Sequence, residues 1–284
     1  MTQRTLIDEA DKNRLRQAYP DGSQLRKRLA SLLIFVALVG LLIFGMFWLG
    51  FSAEKVWSGI GRLRVIFGLM FPPDPGNLLH LYLRGLIETL SIAFLGTLLA
   101  ALFAFPIAFV ATKNIVAQKL IHFLSRRLLD SIRGIDTLIW ALIFINVVGL
   151  GPFAGILAIA MSDLGSFGKL FSEAIETADK KSREGVRSTG GNTAHEIVFG
   201  ILPQVRPVIL SQVLYYFESN TRSATVIGIV GAGGIGLYLS NEISQQNWDH
   251  VSFLILMVLV TVAVVDQISS RLRFAIIGAS GVQA

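Results

Sequence analysis

The sequence predicts an all-α polytopic membrane protein with about six transmembrane helices. Three observations predict it. Hydrophobic residues make up 53% of the 284 residues and charged residues only 15%, well below the quarter usual for soluble domains. Four long runs lack Asp, Glu, Lys and Arg: 25 residues between Arg28 and Glu54, 24 between Glu88 and Lys113, 26 between Asp136 and Asp163, and 16 between Asp249 and Asp266. No run shows the alternation of a barrel strand. There is no cysteine, which excludes a disulfide scaffold, thiol catalysis and thiolate metal sites.

A helix needs roughly 20 apolar residues to cross hydrocarbon, because it rises about 1.5 Å per residue. The first run meets that length. It begins after 28 mostly polar residues and exceeds a signal-peptide core, so it reads as a retained anchor. Residues 1–28 are expected to be a separate N-terminal segment, a surface helix, ahead of a transmembrane domain over 29–284. The second run holds Pro106, which should kink its helix. The third divides into a span from about Leu128 to Val148, a tight outer turn at Leu150, Gly151 and Pro152, and a short return helix from about Phe153 to Ser166. Asp130, Arg133 and Asp136 then fall on one helical face as a structural or interface cluster. A fifth span starts near Pro207, and the last covers the run after Asp249.

Lys and Arg set the orientation. Segments 1–28, 112–127, 164–206 and 268–284 hold 19 of the 25, while 52–88, 148–152 and 218–249 hold five. Both termini and the 164–206 loop are therefore expected in the cytoplasm. Scattered basicity of this kind is not a nucleic-acid face.

Several enzyme-like patterns fail. Gly231, Gly233 and Gly236 fit GxGxxG but lie in a membrane sequence without a βαβ frame. Gly165–Leu170 lacks the first glycine and the Ser/Thr of a phosphate loop. His195 and Glu196 open like a zinc-protease helix, yet Phe199 stands where the second ligand belongs. No catalytic or metal set is expected, and no cofactor bound by this chain.

The 164–206 segment mixes apolar residues at helical spacing with Gly and Pro, which suggests short helices offered to a partner. Here Glu184, Gly185, Val186, Gly190, Leu202 and Pro203 resemble the cytoplasmic coupling motif of ABC-importer membrane subunits. That motif reads Glu-Ala-Ala, three residues, Gly, nine residues, Ile, any residue, Leu-Pro. Gly185 and Val186 replace the alanines, and Gly200 replaces the isoleucine. Pro72–Asp74, Glu88–Thr89, Gly96–Thr97, Pro106–Phe109, Gly168–Phe171, Glu218–Thr225 and Val230–Gly236 look like the phosphonate-importer permease family, in order, over about residues 70–270.

The resemblance implies a type I ABC importer permease with a methionine-importer-like fold in the bacterial inner membrane. It implies a homodimer, two cytoplasmic ATP-binding subunits that use ATP and Mg, and an extracytoplasmic phosphonate-binding protein. Glu184–Gly190 would be the coupling helix, and Leu202 and Pro203 would start the next span. Glu218, Asn220, Arg222, Ser223 and Thr225 lie in span five, past the midplane toward the outside. These five are the candidate substrate path or gate, and Glu218 and Arg222 are either an ion pair steadying a dimer interface or a polar lining or gate on the anion path. The Gly231–Gly236 run serves a tight turn or close packing at a dimer axis. The alternative is a secondary transporter or channel for small anions without an ATPase.

Overall fold

The computed structural model describes residues 22–113, 115 and 118–281. Most of the 1–28 segment therefore lies outside the described residues. The chain divides into two compact units between Val65 and Ile66.

In the first unit, α1 (Gly22–Trp48) is apolar on all sides from Leu29 onward. Helix α2 (Ala53–Leu69) follows and crosses the division. It was not expected, because Lys55, Arg62 and Arg64 mask its pattern. Val56, Ile60, Leu63 and Phe67 recur at helical spacing on one side of it.

In the second unit, a 3-10 turn (Gly76–Leu78) leads into α3 (Leu79–Val110), which continues through Pro106. Its buried stripe is small: Gly85, Thr89, Ala93, Gly96, Thr97, Ala100, Ala104 and Ala108. Small residues let membrane helices approach closely. A Cβ on Gly96 would sit 2.7 Å from the Ile159 side chain.

The third span is not continuous. Helix α4 (Lys119–Arg133) and α5 (Thr137–Val148) are bent by 86°. Asp136 starts the new helix by accepting the Leu138 N–H at 2.8 Å. The expected single face of Asp130, Arg133 and Asp136 is thereby split between two elements. Asp130 is bridged instead by Lys169 at 3.1 Å and by Arg127 at 3.7 Å. Charged α4 cannot follow α5 into hydrocarbon, which is why the run bends where its charges end.

The expected tight turn is present, with Gly149 at φ 93° and Gly151 at φ 133°. Pro152 opens α6 (Pro152–Thr177). This helix runs eleven residues beyond the expected Ser166, so 164–206 is not one loop. Gly165 and Gly168 do not break it; they seat α4. A Cβ on Gly168 would meet Leu129 at 2.5 Å. Asp163 and Lys169 find partners on other helices, so neither ends the span.

After α7 (Lys180–Ser188) and a helical turn at Thr193–His195, a π-helical stretch (Glu196–Ile201) feeds α8 (Leu202–Ile229). This span begins at Leu202 and continues through Pro207. The glycine run reverses the chain into α9 (Ile235–Gln245), and α10 (Trp248–Gly281) returns. A Cβ on Gly236 would lie 2.0 Å from the Thr225 carbonyl oxygen, so α9 folds directly against α8. Among the described residues, five helices are long and apolar enough to cross a membrane, or six if the bent pair counts as one span.

Three clusters hold the bundle together, one of them built on Tyr82, Ile235 and Leu254. Ala104, Phe167, Phe171, Ile201 and Val205 pack at the end carrying α7. Ile92, Ala158, Ile159, Ala224 and Ile227 pack toward the glycine turns. Those turns are joined by the Gly151 N–H, which donates to the Gly231 carbonyl at 3.0 Å.

Candidate coupling segment and substrate path

Helix α7 has only nine residues, too few to persist alone in water. Asp179 caps it, accepting the Lys181 N–H at 3.0 Å. It ends at Thr189, and Gly190 turns the chain at φ 85°. Only glycine adopts that conformation without strain. Asn192 caps the next turn through the His195 N–H at 3.0 Å. Leu202 and Pro203 then occupy the first turn of α8.

The inner side of α7 packs on the π-helical stretch. Glu196 is 8% exposed and receives Arg183 at 3.3 Å and Arg187 at 3.9 Å. A Cβ on Gly200 would lie 3.3 Å from Arg183 Cα. The departure from isoleucine at 200 thus lets the two segments touch. The departure at Gly185 is sterically idle, because nothing lies within 4 Å of a Cβ there. Glu184, Gly185 and Gly190 are exposed, and Val186 is half-buried. Sequence reading treated Glu196 only as part of a failed zinc motif. Its signal was present: a lone acid in an apolar stretch, with arginines four apart upstream.

The span-five residues divide into two groups. Asn220 is buried and donates to Thr97 Oγ1 at 2.8 Å and to Asp163 Oδ2, which ties α3, α6 and α8 together. Glu218 accepts from Arg273 of α10 at 2.9 Å, while Arg222 stands 3.8 Å from its other oxygen. Arg222 keeps 51% of its side chain exposed. With Ser223, Asp136 and Thr137 it lines an open cavity of about 230 Å³. Thr225 is half-buried and bonds back to the Thr221 carbonyl at 3.3 Å. Sequence reading missed Asp163, Arg273 and Thr97, whose roles depend on partners from other helices.

Toward the glycine turns, backbone N–H groups are met by α3 side chains. Gly234 donates to Glu88 at 3.0 Å and Ile235 to Thr89 at 2.8 Å. Tyr82 and Asn247 both donate to buried Glu242, at 3.1 and 2.7 Å.

A bundle with a short exposed helix between two spans, and a cavity lined by one arginine, two hydroxyls and the Asp136 carboxylate, fits a permease. Residues 104–276 match the family described as the binding-protein-dependent transport system inner membrane component. The chain belongs to this family. The permease is 39% identical over 224 residues to the putative phosphite transport system permease protein HtxC of Stutzerimonas stutzeri, covering 79% of each chain. It is 34% identical over 240 residues to the phosphite transport system permease protein PtxC of the same organism, covering 84% of this chain and 87% of that one. Over 117 residues it is 46% identical to the putative cryptic phosphonate transport system permease protein PhnE2 of Escherichia coli (strain K12), covering 41% and 96%.

The methionine ABC transporter MetNI, solved in inward facing conformations, superposes with a TM-score of 0.61 at 17% identity. The match covers 70% of the permease and 97% of that chain, and it establishes the type I importer fold. The permease is a multi-pass inner membrane protein, and the relatives it matches are transport-system permease proteins. Its family works with a separate substrate-binding protein and ATP-binding subunits.

Proposed function

We propose that this permease moves a phosphorus oxyanion, phosphonate or phosphite, into the cytoplasm as a homodimer. Two ATP-binding subunits dock on the exposed face of α7 around Glu184, Gly185, Val186 and Gly190. ATP and Mg are consumed there, on the partners, and both termini of this chain face the same cytoplasmic side. A phosphonate-binding protein delivers the anion at the opposite face.

The observation that carries the reading is the sustained similarity to phosphite permeases over 79% of the chain. The cavity chemistry supports it. Arg222 offers a forked donor to an oxyanion, and Ser223 and Thr137 add hydroxyls without fixed charge. Glu218 is already neutralised by Arg273, so Arg222 is the cation left facing the cavity. One exposed arginine binds weakly, as a path must if the anion is to leave. Helix α7 acts as a lever: closure of the ATPase pair moves it, and its packing on Glu196–Ile201 passes the motion to α8.

The test is reconstitution in liposomes with ATP-binding subunits and a phosphonate-binding protein. ATP-dependent uptake of labelled phosphite or methylphosphonate, lost when 184–190 is scrambled, supports the proposal. Uptake that persists without ATP, or after scrambling, refutes it.

A further inference from the structure

At the end of the bundle that carries α7, transport leaves a set of charges unused. Lys113, Arg126, Arg127 and Lys169 surround a cavity of about 220 Å³ walled by Phe123 and Leu129. Two carboxylates oppose these four cations. Glu176 takes Arg126 at 2.9 Å, and Asp130 takes Lys169 at 3.1 Å and Arg127 at 3.7 Å. The site therefore keeps an excess of about two positive charges. His122 also lines it with a buried Nε2 that has no hydrogen-bond partner among the described residues, 3.9 Å from Glu176. An occupant that answers both features is an anion with several acceptor oxygens.

Helix α4 says which anion. Leu120, Leu124 and Leu128 are exposed along one side, and His122, Arg126 and Asp130 lie on another. The helix is turned 86° from α5. A helix so patterned and so turned lies in the plane of the membrane surface, its apolar side in the acyl region. The cavity then opens at the depth of lipid phosphates. Arg127 stacks on Phe123 with its guanidinium 5.3 Å from the ring centre, placing charge beside an apolar wall.

We propose that this cavity binds the phosphate diester of an anionic phospholipid, whose acyl chains run along the Leu120–Leu128 side of α4. Basic pockets between transmembrane helices take such headgroups. Inorganic phosphate shares the charge and the acceptors but leaves the apolar side bare.

The full-length protein in detergent, mixed with phosphatidylglycerol or phosphatidylcholine and examined by native mass spectrometry, tests this. Wild type should retain phosphatidylglycerol in preference to phosphatidylcholine. A Lys113→Gln/Arg127→Gln variant should hold it about thirtyfold more weakly, the equivalent of about 2 kcal/mol for two surface cations. Arg127 is 68% exposed, and thermal unfolding in phosphatidylcholine checks that the variant is intact. A parallel arm adds inorganic phosphate against chloride at equal ionic strength. No preference between the lipids in wild type, or equal retention by the variant, overturns the proposal. Displacement of the lipid by inorganic phosphate but not by chloride overturns the lipid assignment in favour of a soluble anion.

Discussion

Replacing Glu196 with glutamine should uncouple ATP hydrolysis from transport without removing the protein from the membrane. Glu196 is nearly buried and is the acid that anchors α7, through Arg183 at 3.3 Å. The amide keeps the shape but not the charge. Weakening a charged hydrogen bond at a mostly buried site costs about 1–3 kcal/mol. A shift of that size changes the docked population of α7 by about 5- to 150-fold. Arg187 contributes far less: it is 79% exposed at 3.9 Å, so Arg187→Ala should cost less than about 1 kcal/mol. The assay is uptake per ATP hydrolysed in liposomes, paired with amide hydrogen exchange over residues 180–190. Glu196→Gln should lower the ratio and speed the exchange, and a swap of Arg183 and Glu196 should restore part of both. If uptake and exchange are unchanged in Glu196→Gln, the lever reasoning fails.

Glu184→Lys and Gly190→Pro should leave the protein inserted but abolish ATP-driven uptake, because one reverses charge on the exposed face and the other forbids φ 85°; normal uptake would remove the coupling role. Gly236→Ala should destabilise by at least about 1–3 kcal/mol, since its Cβ would fall 2.0 Å from a backbone oxygen, and thermal unfolding reads this directly. Arg222→Gln should weaken transport while leaving the melting temperature nearly unchanged. Arg273→Gln should do the reverse first, losing about 3–5 kcal/mol by stranding buried Glu218, and a melt of the two variants side by side separates the roles.

Much of the fold was legible because hydrocarbon makes a local demand. A run such as 89–112 must be helical and must cross, whatever surrounds it. The tight turn at Gly149–Pro152 was equally local, since positive φ selects glycine. The turn after α7 was local too, because Gly190 stands at φ 85°. Other features were not. The charges that seemed to end the fourth span, Asp163 and Lys169, lie inside a helix because Asn220 and Asp130 receive them. The span expected from about Leu128 to Val148 looked continuous, yet Asp136 caps a new helix and turns it away.

The sequence by itself determined that this chain crosses the membrane about six times and carries a short helical knuckle between two crossings, because run length and turn residues act on their own neighbourhood. Only the tertiary structure decided that Glu196 holds that knuckle, that Glu218 belongs to Arg273, and that Arg222 is left facing an open cavity. A buried charge takes whichever partner the packing brings within about 4 Å, and for Glu218 that partner lies 55 residues away in sequence.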